Sequence, residues 1–390
     1  MSSNNAKKCV LTLCLHILNA YVFDPGSPKY RDVHAGKFRK PMSYNSPWFN
    51  AVIKSYLEKN AKTEFVYSFS IDNRPYTIVV VGCVPKSSVE QNSSVERDQL
   101  LRRIKTWLRV LHTVKEPFVQ PLVVYIFQSK LKKTLPRRGV TIGVEHVNSA
   151  FTAYCEHNHE YDPDSVPTEI VIYREQEQFK VFIHETFHNF HVDFCSKPDD
   201  AAYARIRKLF GVRSKVLIHE AYTETWATIV NICFRCVEGE MTRVALIKPK
   251  NSNTKLFVQQ LLVRFLQHID DERQFSICQM KKVLAHNGLT YADFVSNPVA
   301  AYEYTEASNV LAYYVIKCIL LFHYEEFINW CNKHNSNWFC FDQSDTSSTS
   351  QHSFCDLIES LYRRRLFLKA VFEAQEPEDK TSLRMTLFGL

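Results

Sequence analysis

Two histidines four residues apart, with a glutamate after the first, are the residues of this sequence best suited to chemistry. They form the segment His184-Glu185-Thr186-Phe187-His188, inside an apolar run rich in phenylalanine. On a helix both imidazoles project from one face, about 40° apart, so one metal ion can bind both. Glu185 then lies about 100° further round, where its carboxylate can take a proton from a water molecule at the metal. The pattern predicts His184 and His188 as zinc ligands and Glu185 as the general base.

A catalytic zinc ion needs a third protein ligand. The extended motif that adds a third histidine is excluded, because His191 and Phe194 stand at its glycine and histidine positions. Glu220 and Glu224 lie one turn apart at the start of a second predicted helix. We predict Glu220 as the third ligand, with Glu224 accepting the free ring N–H of a ligand histidine and so fixing its tautomer.

Hydrolysis at such a metal site also needs a hydrogen-bond donor for the developing oxyanion. The sequence leaves the choice open among five tyrosines: Tyr222, Tyr302, Tyr304, Tyr313 and Tyr314. Tyr313 and Tyr314 are favoured, because they lie on a predicted helix downstream of the ligand helix.

Other residues near the motif have a functional and a structural interpretation. His191 lies one turn beyond His188 and either lines the site or serves as a ligand. Lys180 and Arg174 either recognise a substrate carboxylate or are surface charges. The loop 155–162 is dense in metal-binding side chains, but its spacing fits no zinc pattern, so we expect a polar loop at the rim of a cleft.

The N-terminal half reads as strands with one helix. Residues 64–82 predict a hairpin, because two β-rich runs flank a turn-like stretch. Residues 97–114 have helical spacing of apolar positions. Further strands are predicted at 121–128, 147–152 and 168–173.

Helical spacing dominates after residue 174. The predicted helices are 175–194, 200–210, 216–237, 256–268, one near 293, and 308–332. We expect the Ser/Thr-rich stretch 342–353 to be a surface loop, and 375–380 a polar connector. These elements predict an α+β fold, with a mixed-sheet lobe (1–196) that ends in the motif helix and a helical lobe (197–390) that carries Glu220.

The combination of H-E-x-x-H with a downstream E-x-x-x-E resembles the zincin metallopeptidases of the thermolysin-like, glutamate-ligand group. The resemblance implies a peptidase that uses Zn²⁺, acts on a peptide or protein, and binds its substrate along an edge strand. The implied strand residues are Asn148, Ser149, Ala150 and Phe151. His219, where asparagine is usual, and Glu224, where aspartate is common, depart from the pattern. The blocks VNSAFT, IVIYREQEQFKVFIHETFHNF and SLRMTLFGL also resemble uncharacterised predicted metallopeptidases of large DNA viruses.

Composition indicates which partners and which cellular location to expect. The excess of 48 Lys and Arg over 41 Asp and Glu is mild, so nucleic-acid binding is not expected. No apolar run is long enough for a membrane span. Twelve cysteines sit mostly in apolar runs, which predicts buried free thiols, including Cys233 and Cys236, and an intracellular location instead of export.

Alternatives remain at this point. In the first, the protein is a catalytically inactive zincin-like module with a structural zinc ion, whose basic segments 130–138 and 363–365 dock a partner. In the second, the hydrolysed bond is a non-peptide amide. The sequence does not distinguish endopeptidase from exopeptidase and gives no oligomeric state.

Overall fold

The computed structural model describes residues 2–33, 36–83, 91–115, 120–153, 167–247, 254–341, 349–375 and 379–389. The strands are β1 Lys29–Asp32, β2 Thr63–Ile71, β3 Arg74–Gly82, β4 Leu122–Gln128, β5 Ala150–Ala153, β6 Thr168–Ile172, β7 Asn335–Asn337 and β8 Cys340–Phe341. The helices are α1 Ser2–Ala20, α2 Ala51–Asn60, α3 Gln91–Val114, α4 Val144–Val147, α5 Gln178–Asn189, α6 Asp200–Phe210, α7 Ile218–Ile247, α8 Thr254–His286, α9 Tyr291–Ser296, α10 Pro298–Tyr302, α11 Lys317–Phe322, α12 Tyr324–His334, α13 Thr349–Leu361 and α14 Arg365–Glu373. A short 3₁₀ helix covers Met42–Asn45 and a π-helical turn covers Leu311–Ile316. The predicted α+β class is confirmed.

Six strands form one mixed sheet in the order β1-β2-β3-β4-β6-β5. The pairs β3–β4 and β4–β6 are parallel, whereas β5 runs antiparallel to β6 at the edge of the sheet. The predicted hairpin is β2–β3, and its turn residues Asp72 and Asn73 both have positive φ angles. Asp and Asn tolerate that conformation better than other non-glycine residues, so the local sequence favours this turn.

The chain divides into two compact units. The sheet unit comprises His16–Lys132, Asn148–Val192 and Gly389–Leu390, and the helical unit comprises Met1–Leu15, Lys133–Val147 and Asp193–Phe388. This division differs from the predicted lobes, because the first 15 residues and a segment before β5 group with the helices. The change of unit after the motif helix lies close to the predicted boundary.

Several element boundaries differ from those predicted. Helices α7 and α8 extend well beyond the predicted 216–237 and 256–268, and α13 includes residues 349–353, which were predicted as loop. The strand predicted from residue 147 begins only at Ala150, since 144–147 form a helical turn. The sequence did not predict β1 or α2, whose patterns are short.

Aromatic residues fill the core on one face of the sheet. The ring of Phe49 lies 5.6 Å from that of Phe127, 5.7 Å from Tyr173 and 6.0 Å from Phe151. Phe127 belongs to β4, Phe151 belongs to β5, and Tyr173 directly follows β6, so the cluster joins the strands near the sheet edge. Burial of such rings is a major stabilising contribution, about 2 kcal/mol or more for each side chain.

The C-terminal strap, residues 382–388, is a segment without helix or strand that is bound within the helical unit. Side chains of the unit donate hydrogen bonds to carbonyls along its backbone, and the Glu272 carboxylate accepts from Thr386 Oγ1 and Leu387 N. The donors and their acceptors are Lys282 to Ser382, Tyr314 to Leu383, Gln279 to Arg384, Lys317 to Met385 and Asn231 to Phe388. The strap therefore has the backbone partners that a strand would find in a sheet.

None of the eleven described cysteines forms a disulfide bond, and seven of them are buried. Cys233 and Cys236 lie on α7 and are fully buried, in agreement with the predicted packing role. Among the described helices, none is both long and apolar enough to cross a lipid bilayer.

Candidate metal centre

The motif helix α5 is buried along its whole length. The Thr186 hydroxyl accepts a 2.8 Å hydrogen bond from the indole N–H of Trp107 on α3 and donates to the carbonyl of Ile183. At its C-terminal end, the Asn189 side chain accepts from the buried guanidinium of Arg74. Contacts on the flank away from the histidines thus fix the rotation of α5.

The two motif histidines point their Nε2 atoms at each other. The Nε2 atoms of His184 and His188 are 3.1 Å apart, and the residues are 7% and 8% exposed. Two nitrogens that bind one tetrahedral zinc ion at about 2.0–2.1 Å are about 3.3 Å apart. A single hydrogen bond between neutral imidazoles would also give such a distance, with one ring as donor. The pair therefore has the geometry of metal ligands without requiring a change of rotamer.

Glu185, the predicted base, receives a hydrogen bond from the edge strand. The Thr152 hydroxyl lies 2.7 Å from Glu185 Oε2 and 3.2 Å from the Glu185 backbone oxygen. Since a hydroxyl has one proton, the shorter contact to the carboxylate is the stronger candidate for donation. The contact of Thr152 with the predicted base could not be predicted, because the two residues are 33 positions apart in the chain.

The predicted substrate-binding residues fall on both sides of the start of β5. Asn148 and Ser149 precede the strand, and the Asn148 carbonyl accepts from Arg174 Nε at 3.0 Å. Ala150 and Phe151 belong to β5, and both side chains are buried. The side chains of these two residues are therefore not open to a peptide, whereas those of Thr152 and Ala153 are half-buried.

Lys180 and Arg174 are not surface charges, so that part of the earlier interpretation is wrong. Their side chains are buried, since the residues are 2% and 3% exposed. The Arg174 guanidinium donates hydrogen bonds to the backbone carbonyls of Asn148 and Lys132. Arg174 therefore holds the segment that leads into β5. His191 follows α5 with a positive φ of 50° and is only partly buried.

In the helical unit, both oxygens of the Glu220 carboxylate are hydrogen-bonded. Asn309 Nδ2 donates to Oε1 at 3.2 Å, and the Tyr313 hydroxyl donates to Oε2 at 3.0 Å. Glu220 lies in the first turn of α7, where the helix dipole also favours a negative charge. These contacts restrict the rotamer of the carboxylate.

The π-helical turn 311–316 carries both tyrosines that the sequence favoured. Tyr313 donates to Glu220, whereas the hydroxyl of Tyr314 donates to the Leu383 carbonyl of the C-terminal strap. Glu306 accepts from the backbone N–H of Leu311 at the start of this turn and from the Tyr304 hydroxyl. Burial raises the pKa of Glu306 to about 7, although these hydrogen bonds oppose the shift.

The other tyrosine candidates have different surroundings. Tyr222 is fully buried and donates to the Phe339 carbonyl, Tyr302 is exposed, and Tyr304 bonds to Glu306. Glu224 is 1% exposed, one turn along α7 from Glu220. The residue before the ligand candidate, His219, has its Nδ1 atom 2.6 Å from the Tyr203 hydroxyl.

Most charged side chains of the two basic segments are exposed, including all three of 363–365, although some of them have partners within the chain. Lys133 is buried, and Arg364 forms an ion pair with Glu326. Arg363 donates to the Val295 carbonyl. The loop 155–162 lies outside the described residues.

No family model, no curated protein and no solved structure matches this chain.

Proposed function

We propose that this chain is a zinc-dependent peptidase of the zincin type, in which His184, His188 and Glu220 bind the metal. The observation that carries the proposal is the 3.1 Å approach of the two histidine Nε2 atoms on the buried helix α5. Each of the three residues offers a ligand atom that zinc accepts, and a set of two histidines and one carboxylate is typical of catalytic zinc. The mixed sheet with an antiparallel edge strand before α5 also suits this class.

Zinc would lower the pKa of a water molecule and polarise the scissile carbonyl. Glu185 takes the proton from the attacking water and delivers it to the leaving amine. Both adjacent tyrosines already donate a hydrogen bond, Tyr313 to Glu220 and Tyr314 to the C-terminal strap. Tyr313 is the proposed oxyanion donor, because its hydroxyl lies at the carboxylate of a proposed ligand and could turn from it to the substrate oxygen. A peptide would pair with the backbone of β5, in line with the burial of the Ala150 and Phe151 side chains.

Metal content provides the first test. Mass spectrometry should find one zinc ion per chain in the wild type and in Glu185→Gln, and little in Glu220→Ala. Glu238→Ala is the matched control, since Glu238 lies further along α7 and is only partly buried. A wild type that takes up no zinc when the metal is supplied would refute the proposal.

Turnover provides the second test. With a quenched fluorescent peptide library, the wild type should cleave and Glu185→Gln should be slower by about 10²- to 10⁴-fold. Zinc uptake without hydrolysis would favour the inactive module with a structural zinc ion. Hydrolysis confined to non-peptide amides would keep the zinc site and change the substrate.

A further inference from the structure

The hydrogen bond between Thr152 and Glu185 links a sheet-edge strand to the predicted general base. Thr152 lies on β5, paired with Ile170 of β6, and both Thr152 and Glu185 belong to the sheet unit. The 2.7 Å distance from Thr152 Oγ1 to Glu185 Oε2 is typical of a hydroxyl that donates to a carboxylate.

Successive side chains of β5 point to opposite faces of the sheet. Phe151 packs into the aromatic core with Phe49, so Thr152 is directed to the other face, on which it contacts Glu185 of α5. Arg174 holds the carbonyl of Asn148, just before the strand, and Tyr173 N bonds to the Ser149 carbonyl. The position of the Thr152 hydroxyl is therefore fixed by the core on one side and by backbone contacts before the strand.

A glutamate that serves as a base needs its carboxylate in one orientation, yet its side chain has three rotatable bonds. A fixed hydroxyl bound to one oxygen restricts that freedom and leaves the other oxygen to accept a proton. We infer that Thr152 is a positioning residue that holds the Glu185 carboxylate in its catalytic orientation. The inference rests on the proposed function and deepens it, because the strand proposed to bind the peptide also orients the base.

The kinetic test compares three full-length variants. Thr152→Val removes the hydroxyl at nearly constant volume, whereas Thr152→Ser retains it. Thr168→Val is the matched control on β6, because the Thr168 hydroxyl makes a long 3.5 Å contact to the Pro121 carbonyl. We expect Thr152→Val to lower kcat by about tenfold or more with little change in KM. Thr152→Ser and Thr168→Val should stay within about threefold of wild type. An unchanged kcat in Thr152→Val, or no rescue by serine, would overturn the inference.

A double-mutant cycle in the metal-free protein tests the contact without any turnover. Thr152→Val, Glu185→Ala and the double variant should show a coupling of about tenfold or more in the unfolding equilibrium constant. The same cycle with Thr168→Val should show none. Absence of coupling for Thr152 would overturn the inference even if the enzyme is active. If the cycle shows coupling but the wild-type protein hydrolyses nothing, the proposed function is refuted, and the catalytic role of Thr152 is refuted with it.

Discussion

The histidine pair on α5 and the Glu220 carboxylate on α7 contribute the proposed ligands, but they are prepared in different ways. The two imidazoles approach each other through like nitrogen atoms, which favours a shared cation. Glu220 has a donor on each oxygen, Asn309 and Tyr313, so its charge is already stabilised in the described structure. We therefore expect substitutions of the histidines and of Glu220 to have unequal effects on the stability of the metal-free protein.

The largest expected effect is on zinc affinity. His188→Gln should weaken zinc binding by at least about 100-fold, because one of the few strong bonds to the ion is lost. Competition with a chromophoric chelator measures the affinity, with His191→Gln as the control. Equal losses in both variants would show that His191 is also a ligand.

The comparison also predicts that, without metal, the Glu220 substitution destabilises the protein more than the His188 substitution does. Glu220→Ala should lower the free energy of unfolding by about 1–3 kcal/mol, because Asn309 and Tyr313 lose their acceptor. His188→Gln should change it by less than about 1 kcal/mol, since the substitution removes an imidazole that faces another imidazole. Denaturant unfolding in the presence of a chelator gives both values, and a larger loss in His188→Gln would break the comparison.

A smaller effect separates the neighbouring tyrosines. Tyr313→Phe should lower zinc affinity by about tenfold, because Glu220 then loses the hydrogen bond to its Oε2 atom and is less firmly oriented. Tyr314→Phe is the matched control, as it removes a hydroxyl that donates to the strap, and zinc affinity should be retained. If both variants bind zinc like the wild type, Tyr313 does not orient Glu220 in the metal complex.

The smallest effect concerns Glu306, whose pKa is raised from 4.5 to about 7. Its carboxyl is protonated in the folded state over a range where the unfolded chain is ionised, so its stabilising contribution is full below pH 4.5 and is lost as the pH rises to 7. Because Glu306 is only partly buried, we expect a change of about 1 kcal/mol. Glu306→Gln should flatten this part of the stability profile, which thermal unfolding between pH 5 and 8 measures. An unchanged profile would contradict the assignment.

Local sequence signals predicted part of the fold well. Helix α6 begins and ends where predicted, with Asp199 as N-cap and Gly211 in a left-handed conformation at the C-terminal end. The β2–β3 hairpin follows from alternating runs around a strong turn. In both elements the determining residues are neighbours in the chain, so sequence alone contains the relevant information.

The contacts around the candidate ligands could not be predicted in the same way. Thr152 and Asn309 bond to residues 33 and 89 positions away, and nothing in their own neighbourhood distinguishes them from other polar residues. For Arg174 and Lys180 the sequence left substrate recognition and surface exposure open. The second interpretation is wrong because both side chains are buried, whereas charged residues are usually exposed. The π-helical turn at 311–316 likewise depends on tertiary contacts instead of local spacing.

The C-terminal strap has a consequence for translation. Lys317 and Glu272 are buried with their charged atoms 3.6 Å apart, and both also bind the strap, which is synthesised after every helix that it contacts. While the nascent chain still lacks residues 382–388, these two charges miss part of their hydrogen bonding, which is costly for buried ions. We therefore expect the helical unit to reach its final packing only after the ribosome has added the strap, with the sheet unit free to fold earlier.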